Sequence, residues 1–130
     1  MPRDYQRQKN NEYRLPDDVY HQTIWIIRGY YRKVDELQTI LQESAGTGDG
    51  MPRGSTTSDP VAAKAEKREA LLKQVEAIEQ AKAEVPEEYR AAVWRAVLFY
   101  EPYPIYADRH TYGRYKARFI FRVAKELGLY

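Results

Sequence analysis

From Val19 onward the apolar positions Tyr20, Ile24, Ile27, Tyr31, Val34 and Leu41 recur in a 4-3-4-3 rhythm that only Gln38 interrupts. That spacing predicts one amphipathic helix from Leu15-Pro16-Asp17-Asp18 to about Glu43, roughly 40 Å long at ~1.5 Å per residue. Proline and two acidic residues suit its first turn, where the helix dipole favours negative charge. Trp25, Ile26, Tyr30, Leu37 and Ile40 widen the apolar stripe beyond what one partner helix can cover. A second helix restarts at Ser58-Asp59-Pro60 and runs to about Glu84, with Ala65, Leu71, Leu72, Val75 and Ile78 inward and Glu66, Lys67, Glu69, Lys73, Glu76 and Glu79 outward. Between them, residues 45–58 (AGTGDGMPRGSTTS) are glycine- and serine-rich and read as a long loop. Two long helices joined in this way should fold back as an antiparallel hairpin.

Pro86-Glu87-Glu88 opens a third helix to about Tyr100, expected to be the most buried because Tyr89, Val93, Trp94, Val97 and Leu98 cover over half its circumference. A proline-broken aromatic connector, Glu101-Pro102-Tyr103-Pro104-Ile105-Tyr106, follows. Asp108 or Thr111 caps a fourth helix that ends near Leu127-Gly128. No strand pattern and no repeat is visible. The expectation is an all-α fold: a basic, disordered tail (1–15), a helical hairpin (16–84), and a C-terminal helix-turn-helix-like unit (85–130).

Composition narrows the chemistry. The chain has no cysteine and only His21 and His110, which excludes disulfides, thiolate metal sites and thiol catalysis. No apolar run approaches the ~18–20 residues of a membrane span, and the polar start is unlike a signal peptide, so a cytoplasmic protein is expected. The net charge of +2 decides nothing, but its distribution does. Residues 108–130 carry six Lys/Arg against two Asp/Glu, whereas residues 59–88 carry five against eight.

The fourth helix has two clean faces. Tyr112, Tyr115, Phe119, Ile120, Val123 and Leu127 share one side, and Arg114, Arg118, Arg122 and Lys125 the other. Arg109, His110 and Thr111 stand at its N-terminal end, where a helix in the major groove presents its base-reading residues. Arginine forks suit guanine edges and phosphates. Phe121 falls on the polar side, where a thymine methyl or a protein partner would explain it. The plain alternative is a solvated cationic face that also suits the helix dipole. The 101–108 connector is longer than the usual helix-turn-helix turn of about 3–4 residues. The tyrosines at 100, 103, 106, 112 and 115 fit packing better than base stacking. His110 beside Asp108 lacks a nucleophile, and Glu84, Glu87 and Glu88 fit helix ends better than a metal site. No enzyme and no cofactor is expected.

Arg53-Gly54-Ser55-Thr56-Thr57-Ser58-Asp59-Pro60 followed by Ala62-Ala63-Lys64-Ala65 resembles the loop-to-helix element of RinA/ArpU-like phage transcription activators. Thr111–Ile120 with Val123-Ala124-Lys125-Glu126-Leu127-Gly128 is similar to that family's C-terminal helix. The likeness covers roughly residues 15–129, with Val61 standing where the family pattern has threonine. It implies a sigma-region-4-like helix-turn-helix and a regulator of late or packaging genes in phages and prophages. The DNA-contacting residues it implies are Arg109, Thr111, Arg114, Lys116, Arg118 and Arg122. The expected partners are double-stranded DNA, host RNA polymerase and a second copy docked through Trp25, Ile26, Tyr30 and Leu37. The rival readings are a phage small terminase subunit and an adaptor that binds only protein.

Overall fold

The computed structural model describes residues 6, 7, 9–46 and 59–130, and among these every regular element is helical. In chain order they are α1 (Asp17–Arg28), α2 (Tyr30–Gly46), α3 (Asp59–Glu84), α4 (Glu87–Phe99) and α5 (Arg109–Glu126). The expected loop at 45–58 lies outside the described residues except for its first two positions, which end α2.

The single long helix expected over 17–43 is two helices. Gly29 breaks it: its N–H is shared between the carbonyls of Trp25 (3.3 Å) and Ile26 (3.2 Å), while its own carbonyl accepts from Lys33 N at 2.9 Å. Lys33 folds back so that its Nζ donates to the Ile26 carbonyl at 2.8 Å, finishing the C-terminus of α1. The buried side shifts by about one residue at this joint: α1 buries Tyr20, Ile24 and Ile27, whereas α2 buries Lys33, Leu37 and Ile40, and Tyr31 and Leu41 of the expected rhythm stand exposed.

Two more helix ends are closed by a cation from a neighbouring helix. Arg90 on α4 spans the end of α3, with Nε donating to the carbonyls of Lys82 and Val85 (3.1 Å each) and Nη2 to Ala83 (3.0 Å) and Val85 (2.9 Å). Arg28 on α1 donates from Nε to the Val97 carbonyl near the end of α4 at 3.0 Å. Its guanidinium lies 4.0 Å from the ring centroid of Tyr100, which terminates α4 in the left-handed region at φ 59°. A tyrosine there is strained, and the guanidinium–ring contact holds it in place.

α2 and α3 run antiparallel, linked from Tyr30 Oη–Glu79 Oε2 (2.6 Å) through Leu37, Ile40, Leu71 and Val75 to Lys64–Glu43 (2.7 Å). The first turns of α3 stay in solvent: residues 61–70 are all exposed, so Ala65 is not inward as expected, and Leu72 is also exposed. Leu37 is buried between α2 and α3 within the chain, not held for a second copy.

The main core joins elements from both sides of residue 85. Ile24 and Ile27 of α1, Ile78 and Ala81 of α3, Val93, Trp94 and Val97 of α4, and Phe119, Ile120 and Val123 of α5 are all buried in it. Each large side chain there contributes roughly 1.5–3 kcal/mol over its exposed state. α4 is well buried, as its pattern requires. Trp94 touches Tyr30 (5.1 Å), Tyr31 (6.2 Å) and Phe119 (6.1 Å) and carries the Lys82 ammonium 4.0 Å above its ring centroid.

Candidate nucleic-acid interface

α5 is held by sequence-local chemistry at both ends. Asp108 is its N-cap, with Oδ1 accepting from His110 N (3.0 Å) and Oδ2 from Thr111 Oγ1 (2.9 Å). The Thr111 and His110 hydrogen bonds hold the Asp108 carboxyl below its ordinary range. At the other end Gly128 takes φ 71°, with Leu129 N bonding to Ala124 O (2.9 Å) and Gly128 N to Lys125 O (3.1 Å). That pattern is a Schellman close. The helix buries Tyr112, Phe119, Ile120, Val123 and Ala124 against α1, α3 and α4, and turns its basic side outward.

On that outer side the candidate residues have different states. Arg114 pairs with Glu12 at 2.9 Å, and Arg122 with Glu84 (2.9 Å) and more loosely with Glu126 (3.9 Å). The Glu84 hydrogen bond and charge raise the Arg122 pKa further. These pairs are solvent-exposed, worth little, and readily exchanged for a phosphate. Arg118 is half-buried and makes no ion pair among the described residues. Arg109 is exposed, and Lys116, half-buried, faces the same cleft as Arg109. Thr111 is spent on the Asp108 cap. Lys125 lies over the rings of Phe121 (5.8 Å) and Tyr130 (5.4 Å). Phe121 itself packs on Tyr13 (5.6 Å) and Tyr130 (6.1 Å), so its place on the polar side is explained within the chain.

Residues 6, 7 and 9–15 depart from the expected disordered tail, of which residues 1–5 and 8 lie outside the described residues. Leu15 is buried in the main core, and its N–H donates to Gln6 Oε1 at 2.8 Å while Gln6 Nε2 bonds back to the Leu15 carbonyl. Between them Asn10 adopts φ 53°, Asn11 Nδ2 donates to Arg7 O (3.1 Å), and Tyr13 N donates to Asn11 Oδ1 (3.0 Å). Asparagine tolerates such turn geometry, so Asn10-Asn11 is the signal that periodicity missed. The segment crosses the first half of α5, placing Arg7 Nη1 3.2 Å from His110 Nδ1 as well as pairing Glu12 with Arg114. Arg7, Lys9 and Arg14 on it are exposed, and Arg7 lies beside the first turn of α5.

The tyrosines fall out mostly as packing. Tyr112 is buried against Tyr89 (5.0 Å) and Tyr103 (5.1 Å), and Tyr115 stacks on Tyr89 (4.9 Å). Burial pushes the Tyr103 hydroxyl up to about 12. Ile105 and Tyr106 stand in solvent. Of the expected dimer residues, Ile26 and Tyr30 pack against the chain's own core. Trp25 alone is fully available, at 67% exposure, beside Arg28.

Among the described residues no cluster of His, Asp or Glu is arranged to hold a metal, and no helix is long and apolar enough to cross a membrane. Comparison with protein-family models, with curated proteins and with solved structures finds no match to this chain.

Proposed function

We propose that this chain is a double-stranded DNA-binding transcriptional regulator of the phage or prophage type, contacting DNA with the outer side of α5. The observation that carries the reading is charge on one anchored helix: α5 holds six Lys/Arg and a single Glu while its apolar side is fully used in the core. Such a face supplies phosphate contacts, and hence affinity, without disturbing the fold. Base reading would fall to the N-terminal turns around Arg109 and His110. The segment over those turns either moves aside or joins the contact through Arg7 and Lys9. The resemblance of the C-terminal helix to RinA/ArpU-like activators supports the regulatory role, with RNA polymerase as a partner.

The test is the salt dependence of duplex binding, read by fluorescence anisotropy. Arg118→Gln breaks no ion pair described in the fold, so it should leave melting unchanged and flatten the log–log salt slope by about 0.9. An unchanged slope between about 50 and 200 mM salt overturns the assignment of α5. A second reading, an adaptor that binds protein alone, is favoured by the exposed Trp25, Tyr31 and Phe99. Absence of any duplex binding at low salt would leave that reading standing.

A further inference from the structure

The N-terminal segment and the first half of α5 enclose a cleft of about 1150 Å³. Its walls combine two kinds of group. Arg7, Arg109, His110 and Arg114 converge on it from two separate stretches of chain, and among the described residues Glu12 is the one carboxylate in its lining. Glu12 is already paired with Arg114, and the Arg7 guanidinium approaches the His110 ring rather than an acid. Cations gathered in excess of the carboxylates facing them lower in energy when an anion enters. The helix dipole is not the attraction, because Asp108 already caps those N–H groups.

The other walls are not those of a bare anion site. Tyr13, Tyr20 and Tyr103 also line the cleft, together with Asn10 and Asn11. The volume lies just above the usual range for small-molecule sites and far exceeds an inorganic anion or a dicarboxylate. On the α5 side, Gly113 leaves the backbone open: a Cβ built there meets nothing within 4 Å. A ligand with a planar ring and a phosphorylated end matches both halves, the ring on the tyrosine walls and the phosphates in the arginine forks.

We infer that this cleft binds a nucleoside phosphate, with its phosphates on Arg7, Arg109 and Arg114 and its base against Tyr13 and Tyr103. The inference is separate from duplex binding, although Arg109 and Arg114 belong to both surfaces.

Isothermal titration of the full chain at low salt tests it, with ATP, adenosine and inorganic pyrophosphate as probes. ATP should bind saturably with Kd below about 1 mM, and each of the other two at least tenfold more weakly. Gly113→Leu should abolish ATP binding by filling open space, while its melting temperature holds or rises because glycine is a poor helix former. Arg109→Gln should weaken ATP about tenfold. Arg118→Gln, whose side chain lies outside the cleft, should leave ATP binding unchanged while altering the salt slope on duplex. ATP binding that survives Gly113→Leu, or ATP no tighter than pyrophosphate, overturns the inference. So does the absence of saturable ATP binding. Duplex titrations on the same variants keep the two claims apart, since either ligand can bind while the other does not.

Discussion

Arg90 sets the corner between α3 and α4, and its removal offers a measurable test of how helix ends are closed here. Its guanidinium makes four contacts, at 2.9–3.1 Å, to the carbonyls of Lys82, Ala83 and Val85. Lys82 and Ala83 sit where water can take over, but Val85 is buried at 3% exposure. The dominant loss in Arg90→Met is therefore one buried carbonyl losing two charge-assisted donors, with the aliphatic stem roughly kept. An orphaned buried group costs about 1–3 kcal/mol, and water recovers the other two acceptors, so a loss near 2 kcal/mol is expected. For a chain of this size that lowers Tm by roughly 6–10 °C. Urea unfolding followed by far-UV circular dichroism gives the free energy directly, and Arg90→Lys should fall between Met and wild type because one ammonium cannot span three carbonyls. A cost below about 0.5 kcal/mol for Arg90→Met, the range of an ordinary surface change, would refute the reasoning.

Lys33 gives a pH signature. Burial first, then the neighbouring Arg32 charge, lowers it from its ordinary 10.5 to about 8, against the opposing pull of Glu36. Between these values the unfolded chain holds more protons, so stability rises with pH across that window, by up to about 3 kcal/mol in total. Tyr30, raised to about 12 by burial and by Glu79, opposes this only above pH 10. Wild type should therefore gain on Lys33→Met between about pH 7.5 and 9.5 in urea titrations, and a constant gap between the two would show that the ammonium is well solvated. The two tryptophans should separate cleanly: Trp25→Phe removes the component quenched readily by acrylamide and leaves Tm unchanged, while Trp94→Phe removes the protected one and destabilises. Equal quenching of both residues would contradict their 67% and 7% exposures.

The starts of α4 and α5 and the end of α5 are legible in the sequence because local chemistry fixes them. Pro86, Asp108 and Gly128 each solve a helix end within a few residues of themselves. The division of α5 into a buried and a basic side follows equally from its periodicity. What periodicity does not carry is any arrangement set by contacts between distant residues. The break at Gly29 is silent in an apolar rhythm that continues past it. Gln6 and Leu15 bond across nine residues with no repeat to betray them. The cationic caps at Arg28 and Arg90 look like surface charges until the partner carbonyls are placed beside them. For the same reason the row Arg114, Arg118 and Arg122 could be drawn on a wheel, but Glu12 and Glu84 could not be foreseen as counter-charges to its two ends.

The Arg28 contact has a bearing on where the chain can be cut. The donor sits in α1 and the carbonyl it serves in α4, 69 residues later. Ile24 and Ile27 enter the same interior as Phe119 and Val123. A fragment comprising residues 85–130, however natural as a unit of sequence, would carry an unfinished helix end at Val97 and a bare apolar wall where α1 belongs. The basic helix is therefore not a portable module. Any transplant of its basic side into another protein has to bring α1 with it.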